Sequence, residues 1–278
     1  MTDTSQRLFL YGPGYSARAL ARIWPGTVAG TFRSEQGRQA LAQSSIEPVP
    51  VTDPEALHAA TAGAHLLISA PPDEAGCPAF QGVGDIASDA ASITYLSTTG
   101  VYGDLAGGWA MDWSPPQPQS ARARRRWRAE QAWRSTSDRV RLVRLPGIYG
   151  PGRSAFDRLA RGKARRIIKP GHVFSRIHVD DIARGLRALL SSTAYGAFNL
   201  CDDLAAPPQD VIAYAANLLG LQPPPEIPFE TADLSPMGRS FYSECKRVSN
   251  ARLKAATGWR PAYPTYREGL TAIRNAAR

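Results

Sequence analysis

The sequence predicts an α/β protein in which a doubly wound parallel sheet is joined to a smaller carboxy-terminal α/β lobe. Short apolar segments alternate with helix-like segments over the first two hundred residues, which is typical of βαβ units and their parallel strands. A glycine-rich turn follows the first apolar segment, and prolines and glycines interrupt the chain after Arg144. The length of 278 residues suffices for one large domain or for one domain with a modest lobe.

Seven apolar segments are candidate strands: residues 8–11, 27–31, 48–51, 66–69, 93–97, 140–144 and 197–200. The candidate helices are residues 16–23, 36–43, 55–60, 86–91, 122–133, 181–190, 247–256 and 266–277. We assign residues 1–150 to the sheet domain and expect residues 172–201 to return to it. Residues 151–171 and 202–278 are expected to form the smaller, substrate-binding lobe.

The composition argues against several classes of protein. Cys77, Cys201 and Cys245 form neither a disulfide framework nor a CxxC pair, and the four histidines lack the spacing of a metal site, so we predict no metal. No apolar run approaches the roughly 20 residues that cross a bilayer. Residues 1–7 are polar, without the apolar segment of a secretory signal. We therefore expect a cytoplasmic protein with no membrane partner.

The formal charge of +9 raises the question of nucleic-acid binding, because clustered Lys and Arg neutralise phosphates. Apart from a cluster at residues 122–128, however, the basic residues are spread along the chain and form no long basic tail. A nucleic-acid binder would rest on charge alone, and we expect no nucleic-acid partner. A basic surface that attracts anionic small molecules explains the same composition.

The first predicted strand leads directly into a G-x-G-x-x-A motif that opens a predicted helix: Gly12-Pro13-Gly14-Tyr15-Ser16-Ala17. Gly12 permits a tight turn, Gly14 lets the backbone approach a pyrophosphate, and Ala17 allows close packing of the helix. The amide hydrogens and the dipole at the helix start favour that anion. Strand, turn and helix together predict a Rossmann domain whose motif residues contact a dinucleotide cofactor.

The end of the second predicted strand indicates which nicotinamide cofactor fits. NAD sites place Asp or Glu there to bind the ribose hydroxyls, whereas this chain has Arg33 and Ser34 and no acid before Glu35. Arg33 can pair with a 2′-phosphate, and Ser34 can donate a hydrogen bond to it. We predict NADP as the cofactor; the alternative is that Arg33 is a solvated loop residue.

Four further motifs follow in order along the chain. They read STTGVYGD from Ser97, RLPGIYGPG from Arg144, RIHVDDIA from Arg176 and FNL from Phe198. In this order they resemble the extended and atypical short-chain dehydrogenases, the NAD-dependent epimerase/dehydratase-like family. The resemblance covers most of the chain. It implies a nicotinamide cofactor and a small-molecule substrate held between the sheet and the smaller lobe.

The resemblance also implies positions in the site. Thr98 would occupy the catalytic Ser/Thr position, and residues 178–181 would join the two lobes, with Asp180 or Asp181 capping the next helix. A homodimer would be consistent with the resemblance. Further cofactor contacts would come from the segments after the fourth, fifth and sixth strands, and residues 145–148 would lie near the nicotinamide. The contact residues would be Ser69, Ala70, Pro71, Pro72, Ser97, Pro146 and Ile148.

One part of the family pattern is missing. The family uses a tyrosine to exchange a proton with the substrate and a lysine four residues later to lower the phenol pKa and hold the ribose. A glutamate commonly follows four residues after the lysine, and aligning on Glu130 puts Arg126 at the lysine position and Arg122 at the tyrosine position. Arg126 can hold a ribose or phosphate, but a guanidinium stays protonated, so Arg122 cannot donate a proton.

A structural reading fits the same segment. The arginines can form the solvated face of a helix, with Trp127 packed inward and Arg126 and Glu130 as an i,i+4 pair. Under that reading the segment has no part in catalysis.

If the protein is an enzyme, its acid comes from elsewhere. Tyr102 is the first candidate, because its motif should put it beside the cofactor groove, and Thr98 could orient a carbonyl; Tyr102 as a packing residue is the alternative. With Arg126 they are the catalytic candidates. We predict an NADP-binding oxidoreductase or epimerase/dehydratase-like protein for a small, anionic metabolite, which Arg122, Arg126 and Arg153 could attract. The alternative is a non-catalytic NADP(H)-sensing or binding protein.

Overall fold

The computed structural model describes residues 6–277. Residues 1–5, which belong to the polar start considered above, and Arg278 lie outside the described part. The strands of the central sheet are β1 Leu8–Tyr11, β2 Val28–Phe32, β3 Glu47–Pro50, β4 His65–Ile68, β5 Ser92–Thr98, β7 Val140–Leu145 and β11 Gly196–Asn199. The shorter strands are β6 Trp109–Ala110, β8 Gly147–Tyr149, β9 Arg166–Ile168, β10 Arg176–His178, β12 Glu226–Pro228 and β13 Arg247–Val248.

The central sheet has the strand order β11-β7-β5-β4-β1-β2-β3, and all of its neighbouring strands are parallel. This confirms the predicted doubly wound sheet, and the predicted limits of the seven strands agree with the observed ones to within one residue. The order of the strands reverses between β1 and β4. In sheets of this kind ligands bind in the crevice at the carboxyl ends of the strands at that reversal.

Helices cover both faces of the sheet. On one face, α1 (Tyr15–Ala21) and α7 (Val179–Leu190) pack around Leu20, Ile182 and Leu186. On the other face, α3 (Pro54–Thr61), α4 (Pro78–Val83) and α5 (Ala121–Arg134) cover Phe9 and Ile68. The other helices are α2 Glu35–Ala42, α6 Ala155–Ala160, α8 Pro208–Leu218, α9 Pro236–Phe241, α10 Ala251–Thr257 and α11 Tyr266–Ala276.

Helix α7 begins earlier than the sequence predicts. His178 is its N-cap, and the ring Nδ1 of His178 accepts the Asp180 N–H at 3.2 Å. The prediction that Asp180 or Asp181 caps this helix is therefore wrong, because both aspartates lie inside its first turn. The buried Asp181 carboxylate instead accepts the N–H groups of Ala262 and Tyr263 at 2.8 and 2.9 Å. It ties α7 to the carboxy-terminal segment.

Two predicted helices lie elsewhere. The helix predicted at residues 86–91 is replaced by α4, where Pro78 occupies the first turn, and by a single 3₁₀ turn at Ala87–Asp89. The helix predicted at residues 247–256 begins only at Ala251, because Arg247 and Val248 pair with β6 as the short strand β13. In both places a long-range contact or an early proline decides the structure.

The chain beyond β8 forms two small apolar clusters. One joins α6, α8 and α11 around Ile212, Ala215 and Leu270, and the other contains Ile167 and Tyr242 beside the parallel pair β9 and β12. In the same part of the chain, α7 packs against the central sheet and β11 is one of its edge strands. The division into two lobes at the predicted residues stays a prediction. None of the helices within residues 6–277 has the length and hydropathy needed to span a bilayer.

Candidate active site

A groove of about 530 Å³ lies at the carboxyl ends of β1, β2 and β4. Its walls come from the turn at residues 12–14, the strand end at residues 31–33 and the loop at residues 69–72. These are three of the segments from which the sequence predicts cofactor contacts. The parallel topology brings them to one edge, at the reversal of the strand order.

The two glycines of the turn have different reasons to be glycine. Gly12 has a φ of +75°, and a Cβ there would lie 2.7 Å from the Cβ of Ala70, so the fold itself requires glycine. The Gly12 N–H donates to Thr31 Oγ1 at 2.8 Å. At Gly14 a Cβ would meet nothing closer than Ser69 Oγ at 3.8 Å. The missing side chain at Gly14 leaves space in the groove without serving protein packing.

The first turn of α1 flanks this groove. Ser16 and Ala17 are buried, and Ala17 packs in the core between α1 and the sheet, in line with the predicted close approach. The Tyr15 hydroxyl donates to the Pro151 carbonyl at 2.9 Å, and the Arg153 guanidinium lies 6.0 Å from its ring. Tyr15 therefore links the glycine turn to the segment after β8. A direct cofactor contact of Tyr15 or Ser16 stays a prediction.

The end of β2 is positively charged. Arg33 is exposed and lines the groove, whereas Glu35 is held by Arg38, with bonds of 2.6 and 2.8 Å, and by Gln39. The Ser34 Oγ caps α2 by accepting the Gly37 N–H at 3.2 Å, which leaves its own hydrogen free to donate. Glu35, the first acid after β2, is thus held by hydrogen bonds from residues of its own helix.

Arg18 is a lining residue that the sequence reasoning missed. Its Nε donates to the Pro13 carbonyl at 3.0 Å, and its guanidinium lies in the groove that Arg33 also lines. The available signal was its position on α1, four residues after Gly14 and so one helical turn further along. The loop after β4 forms the opposite wall: the N–H groups of Ser69 and Ala70 both donate to the Tyr11 carbonyl, which fixes Pro71 and Pro72 beyond them.

At the end of β5, two hydroxyls and a guanidinium come together. Thr98 is half-buried and its Oγ1 accepts the Gly100 N–H at 3.1 Å, while Ser97 is buried and its Oγ has no hydrogen-bond partner among the described residues. Arg126 reaches them from α5, since its Nη1 donates to the Leu96 carbonyl at 2.6 Å. It also lies 3.3 Å from the buried Tyr95 hydroxyl. Arg126 is therefore directed at the strand end, whereas Arg122 is exposed.

Tyr102 lies inside the protein, next to a buried ion pair. Its side chain is fully buried, and its hydroxyl donates to Asn199 Oδ1 at 2.8 Å and accepts Arg144 Nη1 at 2.9 Å. Arg144 in turn makes a two-pronged pair with Glu130 at 2.7 and 3.1 Å. The alternative pairing of Arg126 with Glu130 is therefore wrong, because the Glu130 carboxylate faces β7.

Burial raises the pKa of Tyr102 to about 12, against the opposing charge of Arg144. This geometry favours the packing role for Tyr102, as does Trp127, which packs against it and against Val101. The role of Tyr102 as a proton donor stays a prediction that its surroundings do not favour. Thr98 and Arg126 are the catalytic candidates that are partly exposed.

The segment after β7 packs against Phe174 and pairs with β10. Pro146 and Ile148 are half-buried, and Gly147 has no side chain where a Cβ would lie 2.4 Å from the ring of Phe174. The strands β8 and β10 pair here, with Gly147 opposite Arg176. This brings Phe174 against the segment that the resemblance places near the nicotinamide.

His172 is packed against an aromatic ring. It is buried, its ring centroid is 5.0 Å from that of Tyr242, and neither ring nitrogen has a hydrogen-bond partner among residues 6–277. Burial lowers the pKa of His172 to about 4, and the charges of Lys169, Arg176 and Lys246 act in the same direction against Asp104. The imidazole is therefore neutral in the folded protein at neutral pH.

The sequence does contain one Tyr-x-x-x-Lys spacing, from Tyr242 to Lys246, which the motif reasoning passed over. Tyr242 lies just after α9 and Lys246 lies in the following loop, so the two are not one turn apart on a helix. The Lys246 ammonium donates to the Gly103 carbonyl at 2.5 Å and pairs with Glu244 at 2.6 Å. This spacing does not rebuild the family's catalytic pair.

Comparison with known proteins agrees with this geometry. A conserved protein of unknown function from Silicibacter pomeroyi is 44% identical in sequence, with a TM-score of 0.89 over 98% of this chain and 99% of that one. The chain belongs to the same family as that conserved protein. No family model matches the chain.

More distant solved structures share the fold. The dTDP-glucose 4,6-dehydratase of Bacillus anthracis, in complex with NAD, is 14% identical with a TM-score of 0.75 over 97% of this chain and 96% of that one. A human epimerase family protein with NADPH is 16% identical with a TM-score of 0.74 over 97% of this chain and 99% of that one. They confirm the resemblance to the epimerase/dehydratase group at the level of the fold.

One curated relative is a reductase. The 3-diazoavenalumate denitrifying reductase of a Streptomyces species is 32% identical over 148 residues, which is 49% of this chain. The match spans about half the length of that enzyme, 48%. An oxidoreductase-like or epimerase-like protein with a nucleotide-binding fold is the coarse description that all these similarities share.

The buried pair predicts a large effect on stability. We expect Glu130→Ala to lower the free energy of unfolding by about 3–5 kcal/mol, because it leaves the buried Arg144 guanidinium without its carboxylate. The exposed pair of Glu74 with Arg125 provides the control, and Glu74→Ala should leave stability unchanged. Urea unfolding measures both variants. Equal stability of the two would show that Glu130 does not hold α5 to β7.

His172 predicts a loss of stability on acidification. The unfolded chain binds a proton at this histidine below about pH 6.5, whereas the folded protein binds it only near pH 4, so stability falls as the pH is lowered between these values. We expect wild type to lose about 1–2 kcal/mol more than His172→Gln between pH 7.5 and 5.0 in urea unfolding. His58→Gln, at an exposed histidine, should behave as wild type. The same pH dependence in His172→Gln would contradict the assignment.

Proposed function

We propose that this protein is an NADPH-dependent reductase of a small anionic molecule. The observation that supports this most directly is the groove at the reversal of the strand order, which combines the glycine turn at residues 12–14 with the free guanidinium of Arg33. The fold shared with the epimerase/dehydratase group and the partial similarity to a reductase support the same class.

The residues of the groove fit a dinucleotide. The open space at Gly14 leaves the backbone accessible at the start of α1, as a pyrophosphate requires. Residues 69–72 would form the opposite wall along the cofactor, and Arg126 with Ser97 lies at the end of β5, where a ribose or nicotinamide would be held. When bound, the reduced nicotinamide would supply hydride to the substrate. One acceptor that needs no proton from the protein is an aryl diazonium ion, which takes up hydride to give the arene and dinitrogen.

Charge at the far end of the groove supports NADP over NAD. A 2′-phosphate carries negative charge and several acceptor oxygens, which Arg33 and the Ser34 hydroxyl can bind, with Arg18 nearby. Glu35 is the first acid after β2 that could bind the ribose diol of NAD, and Arg38 already holds its carboxylate. The end of β2 therefore offers donors for a phosphate and no free acid.

This assignment predicts the effect of Arg33→Ala. Wild type should bind NADPH more tightly than NADH, and Arg33→Ala should weaken NADPH binding about ten- to hundredfold, the size of a lost hydrogen bond to a charged group, with NADH binding unchanged. Arg134→Ala, an exposed arginine at the end of α5, is the matched control. Calorimetric titration measures both nucleotides. Equal affinities in wild type, or a preference that survives in Arg33→Ala, would refute NADP selectivity.

The surroundings of the predicted reaction centre favour an acceptor that needs no proton donor. Arg122, which the alignment on Glu130 puts at the family's tyrosine position, is exposed on α5, and the phenols of Tyr95 and Tyr102 are fully buried. Burial raises the pKa of both phenols, which makes them poor sources of a proton at neutral pH. A substrate group that carries its own positive charge, such as a diazonium or iminium group, accepts hydride without protonation. The curated relative is named as a denitrifying reductase of a diazo compound.

Thr98 and Arg126 would hold the substrate in position. The Thr98 hydroxyl can donate to the substrate while its oxygen keeps the bond from Gly100. The Arg126 guanidinium, held at the end of β5 by the Leu96 carbonyl, would bind the anionic part of the substrate or a hydroxyl of the cofactor and not the cationic acceptor group. Both would position a substrate, and neither would have to lose a proton during the reaction.

A matched pair of acceptors tests this chemistry. We expect NADPH consumption and dinitrogen release with 4-carboxybenzenediazonium and no consumption with 4-carboxybenzaldehyde, and we expect Tyr102→Phe to keep this turnover. Gly14→Val is the control, since its side chain would meet only groove space and would block the cofactor without disturbing the fold. A loss of about a hundredfold in Tyr102→Phe with unchanged melting temperature would be the size of a lost general acid and would contradict the proposal.

The rival function is a non-catalytic NADP(H) sensor. Its specific support is that the family's proton-donor position holds an exposed arginine. Binding of both redox forms of the cofactor, without turnover of either acceptor, would favour the sensor over the reductase.

A further inference from the structure

The short strand β10 carries a buried guanidinium that is only partly satisfied. Arg176 at the start of β10 is 8% exposed, and its Nη1 donates to the carbonyls of Phe174 and Ala206 at 2.7 and 2.8 Å. Its Nε and Nη2 make no hydrogen bond to any described residue, yet neither is among the fully enclosed polar atoms, so this edge reaches accessible space. The Nε–Nη2 edge is suited to a carboxylate, which it can bind through two parallel hydrogen bonds.

None of the ion pairs within 4.0 Å among residues 6–277 involves Arg176. Asp202 is the acid with the largest electrostatic effect on Arg176, but no hydrogen bond joins the two side chains, and Asp202 Oδ2 itself has no hydrogen-bond partner among the described residues. Burial lowers the pKa of Arg176 to about 10, and it still remains charged at neutral pH. A buried charge without a partner is costly, and an anionic ligand would remove that cost.

Aromatic rings lie near the Arg176 guanidinium. The Phe174 ring lies 5.6 Å from the Arg176 guanidinium and 4.3 Å from the ring of Phe241, and Phe241 lies 5.3 Å from Tyr242. Phe241 is 37% exposed, so part of this aromatic cluster is open to a ligand. Arg158 on α6 is exposed and acts electrostatically on both Tyr242 and Arg176.

This cluster adjoins the proposed cofactor site. The Phe174 ring occupies the space that a side chain at Gly147 would fill, and Arg176 stands opposite Gly147 in the pairing of β10 with β8. The segment around Gly147 is the one expected near the nicotinamide. A molecule on the aromatic cluster would therefore lie beside the reacting end of the cofactor.

We propose that Arg176 binds the carboxylate of an aromatic substrate whose ring packs on Phe174 and Phe241. The proposal rests on the proposed function, because it identifies the substrate of that reductase. A carboxylate matches this two-pronged edge, whereas a phosphate group has more oxygens than the edge can satisfy. Arg158 adds a second positive charge that favours anions.

Calorimetric titration with trans-cinnamate, its neutral analogue cinnamamide and inorganic phosphate tests this site. Wild type saturated with NADPH should bind cinnamate at least about tenfold more tightly than cinnamamide or phosphate, the factor expected when one charged hydrogen-bonded contact is lost. Arg176→Met should reduce cinnamate binding to the level of cinnamamide and leave NADPH binding unchanged. Phe241→Leu should weaken cinnamate binding as well, while Arg184→Met, at an exposed arginine on α7, should not.

Each result has a defined meaning. Cinnamamide bound as tightly as cinnamate, phosphate bound more tightly than cinnamate, or undiminished cinnamate binding by Arg176→Met would overturn the proposal. If Arg176→Met does not fold, the wild-type comparison and the exposed Arg158→Met, which should weaken cinnamate binding by about threefold, still decide it. Titration of cinnamate without nucleotide separates this site from the cofactor site, since failure of NADPH binding alone refutes only the proposed function.

Discussion

The cleft depends on the close approach of the Gly12 backbone to the loop after β4. With a φ of +75° and Ala70 only 2.7 Å from where a Cβ would be, no other residue fits this turn without moving one of the strands. The Thr31 hydroxyl accepts the Gly12 N–H and adds β2 to the same contact. Three strand ends are thereby held at one point, and the start of α1 opens onto it. The space in front of Gly14 exists because this turn is so compact.

Local sequence patterns were sufficient to predict the strands of the central sheet. Each of the seven strands is a short apolar segment bounded by turn residues, and burial on both faces makes such segments recognisable in a parallel sheet. Arg33 and the glycine turn were also predictable, since both follow directly from a strand end. The same local reasoning misplaced the helix before β5, because it gave too little weight to Pro78 as a helix start.

Contacts between distant parts of the chain were not predictable. The environment of Tyr102 depends on Arg144, 42 residues away, and on Asn199, 97 residues away, and no motif around Tyr102 encodes either contact. Glu130 likewise served only as an alignment anchor in the sequence, whereas in the structure it neutralises a buried arginine. The strand at Arg247 forms because Trp109 pairs with it across the fold. In each case tertiary packing overrides the local pattern.

The arginines that make the composition basic serve different purposes, and their partners distinguish them. Arg144 is buried against a carboxylate, and Arg141 is buried with its Nε and Nη2 donating to the carbonyls of Ala194 and Ser192. Both fasten strand β7 and are unavailable to any large polyanion, so net charge alone is a poor guide to partners here. Arg176 resembles them in burial but keeps its Nε–Nη2 edge unbonded to the described residues. Since the fold could have satisfied that edge as it does in Arg141, the difference separates an arginine that holds the structure from one that is placed to bind a ligand.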